Sequence, residues 1–386
     1  MRMKQKIKII PLGLAILAGI CGYGYFAYSD ENADSVQENT TEVSTEQINY
    51  MQTPLNEGVF TGRVIPENGT WRQYIATDRE YTKELTDKDA QLFAHGESIV
   101  ETEQQPDQNR YVYSDNSTFI DGRYRIMYCT KRNEEIGYKR YISGNKVGLW
   151  TDKESAFPLE ELEDFSRSEA IEQVKDLCDG LGIELSDKAP EVYVMDAENM
   201  TNIMLKSDTL HYYRLNRRYG TEEENRREIT WTKDDEVYYI VFEMNMEGLP
   251  LTDKGFSAGS KFAVGSTVTA AVGKNGIQYF QAEGLYDITE SSHLEGRICS
   301  SSEAVKVMRS KCSYNDGFVT RSLSEMKRVY VPVGTSDVKN HEYVVRPYWK
   351  CTVSYIKTKQ VNGQTIEYTI EDVVLIDAVT KTVYKD

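Results

Sequence analysis

Histidine is scarce in this chain, and no close pairing of chemistry-bearing residues compensates for the shortage. The 386 residues contain four histidines, His95, His211, His293 and His341. None belongs to an HExxH or HxH pattern, and none lies beside a cysteine, so the spacings typical of zinc proteases and structural zinc sites are missing. A Walker loop is missing as well. We therefore predict a protein that is not an enzyme, with no catalytic residue, no metal site and no cofactor.

Positive charge is also in short supply. The chain has 45 Lys and Arg residues against 61 Asp and Glu, which gives a net charge of −16. Binding to nucleic acid needs clustered positive charge for phosphate contacts, so the composition predicts that nucleic acid is not a partner. An acidic surface likewise disfavours general attraction to anionic lipid.

The six cysteines lack the close spacing of a disulfide scaffold or a zinc site. They are Cys21, Cys129, Cys178, Cys299, Cys312 and Cys351. Buried thiols are the preferred interpretation. A bridge between Cys299 and Cys312 stays open as the alternative.

A long charge-free run stands near the start of the chain. Residues 9–28 hold no charged side chain, and four basic residues precede them within 1–8. At 1.5 Å per residue the run forms about 30 Å of helix, which matches a bilayer core. Tyrosines at its end are typical of an outer aromatic belt, and the positive-inside rule places residues 1–8 in the cytoplasm. We predict a single-pass signal anchor at 9–28, with everything after it extracytoplasmic at the cell membrane.

Two other interpretations of this run stay open. Ala27 and Ser29 are small residues in the positions of a signal-peptidase site, so the segment could end at Ser29 by cleavage. A lipidated Cys21 is the second alternative, although bulky Ile20 precedes it where small residues are usual.

The rest of the chain divides by composition. Residues 29–50 are acidic and almost free of apolar side chains, which predicts a disordered linker. We then expect a β-rich N-terminal domain at 51–160, a first α+β lobe at 161–295 and a second α+β lobe at 296–386. The predicted fold class is therefore α+β: a transmembrane helix, a β-rich region, and two repeated lobes of a helix with an antiparallel sheet.

A near-repeat supports the two lobes. The segment FSRSEAIEQVKDLC at 165–178 aligns with CSSSEAVKVMRSKC at 299–312. Each carries a capping box at its helix start, namely Ser166 with Glu169 and Ser300 with Glu303. Each also carries one apolar stripe at helical spacing. The stripes are Ala170, Ile171, Val174 and Cys178 in the first segment and Ala304, Val305, Met308 and Cys312 in the second.

Three further local predictions follow from residue patterns. Residues 82–98 are compatible with a helix. Residues 122–150 are expected to form a β-meander, with Tyr124, Ile126 and Tyr128 on one face and a turn at 143–145. Pro347, inside a strand pattern, predicts a bulge or an edge.

Three groups of residues have spacings or charges that could suggest a catalytic or metal-binding site. For each of them we prefer a structural interpretation. The tetrad Ser324–Lys327 has SxxK spacing, but it leads directly into a strand instead of a helix. The acidic group Glu160, Glu161, Glu163 and Asp164 is predicted to be a solvated approach to a helix. Asp115 and Asp121 lack the spacing of an EF-hand loop.

The closing sequence VLIDAVTKTVY resembles the last strand and turn of PepSY domains, which often read Ile-Asp-Ala-x-Thr-Gly-x-Val. The matching residues are Ile376, Asp377, Ala378, Thr380 and Val383. Lys381 replaces the usual glycine, so we expect a strained or altered turn there. The layout is also similar to YycH/YycI-type regulators of Gram-positive bacteria. That resemblance implies contact with an envelope protein, such as a sensor kinase ectodomain, or modulation of a protease.

We therefore expect a non-catalytic, membrane-anchored protein that acts through protein–protein contact in the envelope. Sheet edges and tyrosine-rich strands are the expected interaction surfaces. A peptide- or solute-binding protein and an envelope hydrolase using paired carboxylates are the alternatives. The two would be marked by a deep apolar pocket and by two converging acids, respectively.

Overall fold

The structure is a computed structural model of the chain. It describes residues 51–55, 58–64, 72–80, 82–123, 125–144, 157–206, 230–294, 298–311, 321–335, 342–361 and 364–385. The predicted anchor at 9–28, the linker at 29–50 and the turn at 145 lie outside these residues.

Strands dominate the residues that the structure describes. The strands are β1 (Met51–Leu55), β2 (Gly58–Val64), β3 (Arg72–Asp78), β4 (Ile99–Gln104), β5 (Gln108–Tyr113), β6 (Thr118–Gly122), β7 (Arg125–Cys129), β8 (Glu191–Met195), β9 (Val237–Glu243), β10 (Asn245–Met246), β11 (Leu249–Pro250), β12 (Phe256–Ala258), β13 (Lys261–Ala263), β14 (Thr267–Gly273), β15 (Gly276–Glu283), β16 (Tyr286–His293), β17 (Arg321–Thr335), β18 (Glu342–Val361), β19 (Gln364–Asp377) and β20 (Val383–Lys385). The described helices are α1 (Lys83–Leu92), α2 (Lys131–Ile136), α3 (Tyr138–Gly144), α4 (Arg167–Leu181), α5 (Ala197–Lys206) and α6 (Ser301–Lys311).

The first sheet has eight antiparallel strands in the order β4-β5-β6-β7-β15-β14-β9-β8. Helices α1 and α4 contribute to the core on one face, and α2, α3 and α5 contribute to the core on the other. Successive side chains of a strand lie on opposite faces, so every second residue of a strand can face the first core. In β5, for example, Tyr111 and Tyr113 are buried while Arg110 and Val112 between them are half-buried. Aromatic rings fill the space beneath α1, where Phe93 stacks on Phe119 at 4.9 Å between ring centroids.

Both predicted capping boxes are confirmed. The backbone amide of Glu169 donates to Ser166 Oγ at 3.3 Å, and the Ser166 amide donates to Glu169 Oε2 at 3.1 Å. The same two contacts join Ser300 and Glu303, at 3.3 and 2.8 Å. Each helix then buries its predicted apolar stripe, although Cys312 lies outside the described residues. The helix expected within 82–98 is confirmed as α1, with Thr82 as its N-cap.

The second sheet has ten strands built around the long β17–β18 hairpin. Its main order is β1-β2-β17-β18-β19-β20, with β13 added to the end of β17 and the β3–β16 pair added to the start of β18. Helix α6 covers one face, where Trp349 Nε1 donates to the Cys299 carbonyl at 2.9 Å. The β12–β13 hairpin covers part of the other face, where Phe256 stacks on Tyr384.

The predicted fold class is wrong. The described residues form two large strand-rich sheets with helices on their faces, instead of a β-rich region followed by two repeated α+β lobes. None of the helices in the described residues is both long and apolar enough to span a membrane.

Strand pairing over long sequence distances is the physical reason for this error. Strand β7 lies in the predicted domain 51–160, yet Tyr128 pairs with Phe280 of the predicted first lobe. Strand β3 belongs to the same predicted domain, yet Ile75 pairs with Val344 of the second. The sheets therefore do not follow the predicted boundary at 160/161.

The predicted β-meander is correct only in its first half. Ile126 and Tyr128 are buried on one face of β7, as expected. The chain then turns helical, because Thr130 caps α2 and Gly137 ends it in the left-handed conformation. Pro347 forms neither a bulge nor an outer edge. It lies where the partner of β18 on one side changes from β3, paired through Val345, to β19, paired from Tyr348.

Lys381, where glycine was expected, adopts the left-handed conformation, with φ +60°. Asp377 holds the turn together, since its Oδ1 accepts from the amides of Val379 and Thr380 at 2.8 and 3.0 Å. The half-exposed ammonium of Lys381 lies 3.6 Å from Glu303, at the start of α6.

Lys381→Gly is expected to raise the free energy of unfolding by about 0.5–1 kcal/mol, because glycine adopts positive φ without a Cβ clash. Chemical denaturation measures the change. Lys381→Ala is the matched control, since it loses the same weak ion pair but keeps the Cβ. Equal stability of the two variants would contradict a strained turn.

Candidate functional site

The SxxK tetrad does not form a Ser/Lys pair. Ser324 and Lys327 both lie in β17, and the register of β17 with β18 shifts between Leu323 and Glu325, at Ser324. Ser324 Oγ donates to the Thr352 carbonyl at 3.1 Å, and Lys327 Nζ binds Glu243 Oε2 at 2.6 Å. The two side chains bind different partners, and the tetrad is part of a strand, as expected from the sequence.

A Gly-x-Ser-x-Gly pattern at residues 255–259 was not among the predictions from sequence. In hydrolases this pattern forms a sharp turn from a strand into a helix, which exposes the serine. Here Ser257 lies within β12, paired with Phe262 of β13 in a short hairpin. A strand inside a hairpin does not provide the turn that a nucleophilic serine needs.

Of the acidic residues considered from the sequence, Glu161 and Glu163 make local hydrogen bonds and ion pairs. Glu161 accepts hydrogen bonds from the Tyr238 hydroxyl at 2.7 Å and the Arg167 amide at 2.9 Å. Glu163 pairs with Lys233 at 2.5 Å. Glu160 and Asp164 are exposed. These residues form the approach to α4, as predicted.

Asp115 binds within its own turn, where its Oδ1 accepts from the amide of Ser117 at 2.8 Å and from its hydroxyl at 2.6 Å. In the part of the chain that the structure describes, no group of three or more His, Cys, Asp or Glu residues is placed to hold a metal ion. Of the histidines, His95 packs edge-on against Tyr128 and His293 ends β16 in an exposed position. His211 and His341 lie outside the described residues.

The described cysteines are core residues or lie near the core. Cys178, Cys299 and Cys351 are buried, and Cys129 is half-buried. Burial raises the pKa of the Cys178 thiol to about 12, which makes a thiolate nucleophile there unfavourable. The proposed partner of Cys299, Cys312, and the lipidation candidate, Cys21, lie outside the described residues.

Two buried acids converge at the junction between the sheets. Arg79 follows β3 of the ten-stranded sheet, and its amide donates to the Leu285 carbonyl at 3.2 Å. Its guanidinium forms an ion pair with Asp89 of α1 and lies 3.2 Å from Asp121 of β6. We call Arg79, Asp89 and Asp121 the arginine tie. The side chains of Asp89 and Asp121 are 3% and 0% exposed.

This geometry perturbs the protonation of Asp121. Burial raises the pKa of its carboxyl, the Arg79 charge opposes that rise, and the Asp89 charge adds to it, so the pKa is about 7. Two converging acids were the expected mark of a hydrolase. Here, however, both carboxylates face a guanidinium away from solvent, so a substrate would have to displace Arg79 to reach them.

A second charged cluster joins the sheets. Lys327 and Lys350 lie directly opposite each other on β17 and β18, a like-charge arrangement that is unfavourable unless countered. Glu243 of the eight-stranded sheet binds Lys327 at 2.6 Å, and Asp253 pairs with Lys350. We call these four residues the lysine tie. All four side chains are less than one-fifth exposed.

The lysines keep the acids of this tie ionised. Burial by itself would raise the pKa of Glu243, but hydrogen bonding and charge from Lys327 hold it below its usual value. The pKa of Asp253 is likewise held low against burial, chiefly by the Lys350 charge. The two ties therefore differ: Glu243 and Asp253 of the lysine tie stay ionised near neutrality, whereas Asp121 of the arginine tie titrates there.

Most strand edges in the described residues are blunted against further pairing. Edge strand β4 is exposed, carries Glu101 and Glu103, and has an irregular register after Ile99. Strand β16 is irregular between Ile288 and Glu290. Strand β1 contains Pro54, and β20 has three residues. Short strands, acidic charge, bulges and proline all disfavour edge-to-edge association.

The β18–β19 hairpin has one edge without these features. The two strands pair continuously from Tyr348 with Asp377 to Val361 with Gln364. Strand β20 covers β19 only over 374–376. Among the described residues, no second strand pairs with Ile366–Glu371, a segment that we call the open edge.

The open edge has the length and sequence of a pairing strand. Six residues at about 3.4 Å each span roughly 20 Å, the length of an ordinary strand. Its sequence, IEYTIE, contains no proline, glycine or lysine, and its register with β18 has no irregularity. Such an edge is a template for another strand.

Comparisons with known proteins give a fold and no function. No protein-family model and no curated protein matches this chain. The chain is similar to the crystal structure of an uncharacterized protein from Eubacterium rectale, with a TM-score of 0.55 and 16% sequence identity. The similarity covers 88% of this chain and 94% of the other. At this identity it concerns the fold alone, and the resemblance to PepSY and YycH/YycI-type proteins stays a prediction.

Proposed function

We propose that this protein is a non-catalytic binding protein that acts by protein–protein contact, and that a segment of its partner adds as a strand along the open edge. The continuous, unblunted edge Ile366–Glu371 carries this proposal. In strand addition, main-chain hydrogen bonds supply affinity and alternate side chains supply specificity. An extended partner segment of five or six residues would fit.

The contrast with the other edges supports this assignment. A protein without a pairing partner gains from blunting every long edge, since an open one invites aggregation. Here the shorter or exposed edges β1, β4, β16 and β20 are each blunted, whereas the open edge is not. The difference is expected if the open edge is occupied when the protein works.

We propose an envelope protein as the partner, with regulation of a sensor or a protease as the outcome. This part of the proposal draws on the charge-free segment 9–28 and on the resemblance to YycH/YycI-type regulators. The membrane location stays a prediction, because 9–28 lies outside the described residues. Strand addition at the open edge does not depend on it.

Photo-crosslinking in the native cells tests the proposal. A benzophenone side chain is placed at Glu371 in the full-length chain, and a matched one at Glu290 on the blunted edge of β16. Both positions are exposed glutamates on strands. We expect the probe at Glu371 to attach to one particular protein and the probe at Glu290 to miss it.

Neighbouring proline variants show whether the crosslink depends on strand pairing. At two successive edge positions, Thr369 and Ile370, one amide faces β18 and the other faces outward. The proline that removes the inward amide should lower the melting temperature. The proline that removes the outward amide should leave folding intact and abolish the crosslink. The same protein crosslinked at Glu371 and Glu290, or specific attachment to small molecules alone, would contradict the proposal.

A further inference from the structure

The sheets are joined by two ionic ties of the same polarity. In each tie the cations belong to the ten-stranded sheet, as Arg79 or as Lys327 and Lys350. Carboxylates of the eight-stranded sheet and its helices meet them, namely Asp89 and Asp121 in the arginine tie and Glu243 in the lysine tie. Separating the sheets at either point therefore parts opposite charges.

The arginine tie has one carboxylate too many. When Asp89 and Asp121 are both ionised, a single guanidinium faces two negative charges, and Asp121 has no exposure to water. A proton on one carboxyl removes the excess. Buried like charges of this kind favour holding a proton between them.

Among the described residues, the charges that act on Asp121 are those of Arg79 and Asp89, with no second cation. Helix α1 contributes Asp89, and β5 contributes Tyr111, whose hydroxyl binds Asp87 at 2.8 Å. Across the ladder from Asp121 lies the neutral Asn109. On the other side of the junction, Arg79 stands in sequence between Asp78, which accepts a hydrogen bond from Tyr343, and Glu80, whose amide donates to Asp287.

We propose that the arginine tie is a proton-controlled latch between the two sheets, closed while Asp121 holds a proton and loosened when that proton is lost. The lysine tie, whose acids stay ionised, then acts as the pivot. The sign follows from linkage. The pKa of the Asp121 carboxyl is higher when the latch is closed than when it is open. Opening therefore releases the proton, and a rise in pH through neutrality favours the loosened arrangement.

Distance measurement between the sheets tests the latch. Spin labels are attached through non-natural ketone side chains at Glu172 on α4 and Lys306 on α6, both exposed, so that the native cysteines are not labelled. Electron–electron double resonance is recorded from pH 5 to pH 8.5. We expect one narrow distance distribution at pH 5 that broadens or shifts on raising the pH, with a midpoint near 7.

Two variants separate the latch from general loosening. Asp121→Asn should keep the narrow distribution at every pH, because it mimics the protonated carboxyl. Asp89→Asn removes the competing charge and should lower the midpoint by at least one pH unit. A wild-type distribution identical at pH 5 and pH 8.5 would overturn the latch, and that result requires no variant to fold. A transition that persists unchanged in Asp121→Asn would overturn it too.

Discussion

Glu243→Ala is expected to lower the free energy of unfolding by about 3–5 kcal/mol, the largest effect of any single substitution considered for the junction. The variant leaves Lys327, 12% exposed, without its main counterion. It also leaves Lys327 directly opposite Lys350. Urea denaturation of the purified protein measures the loss.

A double-mutant cycle gives the control for this prediction. Lys327→Met removes the stranded charge, so Glu243→Ala combined with Lys327→Met should be less destabilised than the sum of the single variants by about 1–3 kcal/mol. Strict additivity would show that Glu243 and Lys327 do not depend on each other. The lysine tie would then be ruled out as a connection between the sheets.

Asp121→Asn is expected to flatten the pH dependence of stability. The pKa of this carboxyl is about 7 in the folded protein, against an ordinary value of 3.8. The folded state therefore holds a proton that the unfolded state releases, and stability falls as pH rises through this window. Between pH 5 and pH 8 the wild type should lose about 3 kcal/mol through Asp121, and the variant should keep it.

Denaturation midpoints at a series of pH values measure this difference. Asp107→Asn is the matched control, because Asp107 is an exposed aspartate and its replacement should leave the pH profile unchanged. Parallel profiles for the wild type and Asp121→Asn would contradict a proton held at the arginine tie.

Local structure was the part of the fold that the sequence could predict. The capping boxes at Ser166 and Ser300 depend on residues three apart, so a short stretch of sequence contains the whole signal. The apolar stripes on α4 and α6 are equally local. Lys381 is a similar case, because it stands where the resembling pattern has glycine and an altered or strained turn was expected, and its φ is +60°.

Strand partners could not be predicted in the same way. Nothing near Tyr128 indicates that it pairs with Phe280, about 150 residues later. The α+β prediction failed for this reason. The helices after Cys129 were missed because the pattern of alternating tyrosines outweighed two short-range signals, the cap at Thr130 and the stop at Gly137.

The candidate sites show the same limit. Asp121 stood out as an acid in the sequence and was weighed only as a calcium ligand, since its true partner, Arg79, lies 42 residues away. Glu243 and Lys327 are 84 residues apart. For the open edge, the sequence predicted that sheet edges would matter in general. Only the pairing pattern distinguishes Ile366–Glu371 from the blunted edges.

Amide hydrogen exchange across Ile366–Glu371 tests the central claim, strand addition at the open edge, most directly. The measurement compares the full-length chain alone with the chain bound to the protein captured at Glu371. Strand addition predicts that the outward amides of this segment exchange at least tenfold more slowly in the complex, while those of β4 are unchanged. A complex that forms without protecting Ile366–Glu371 would contradict the claim.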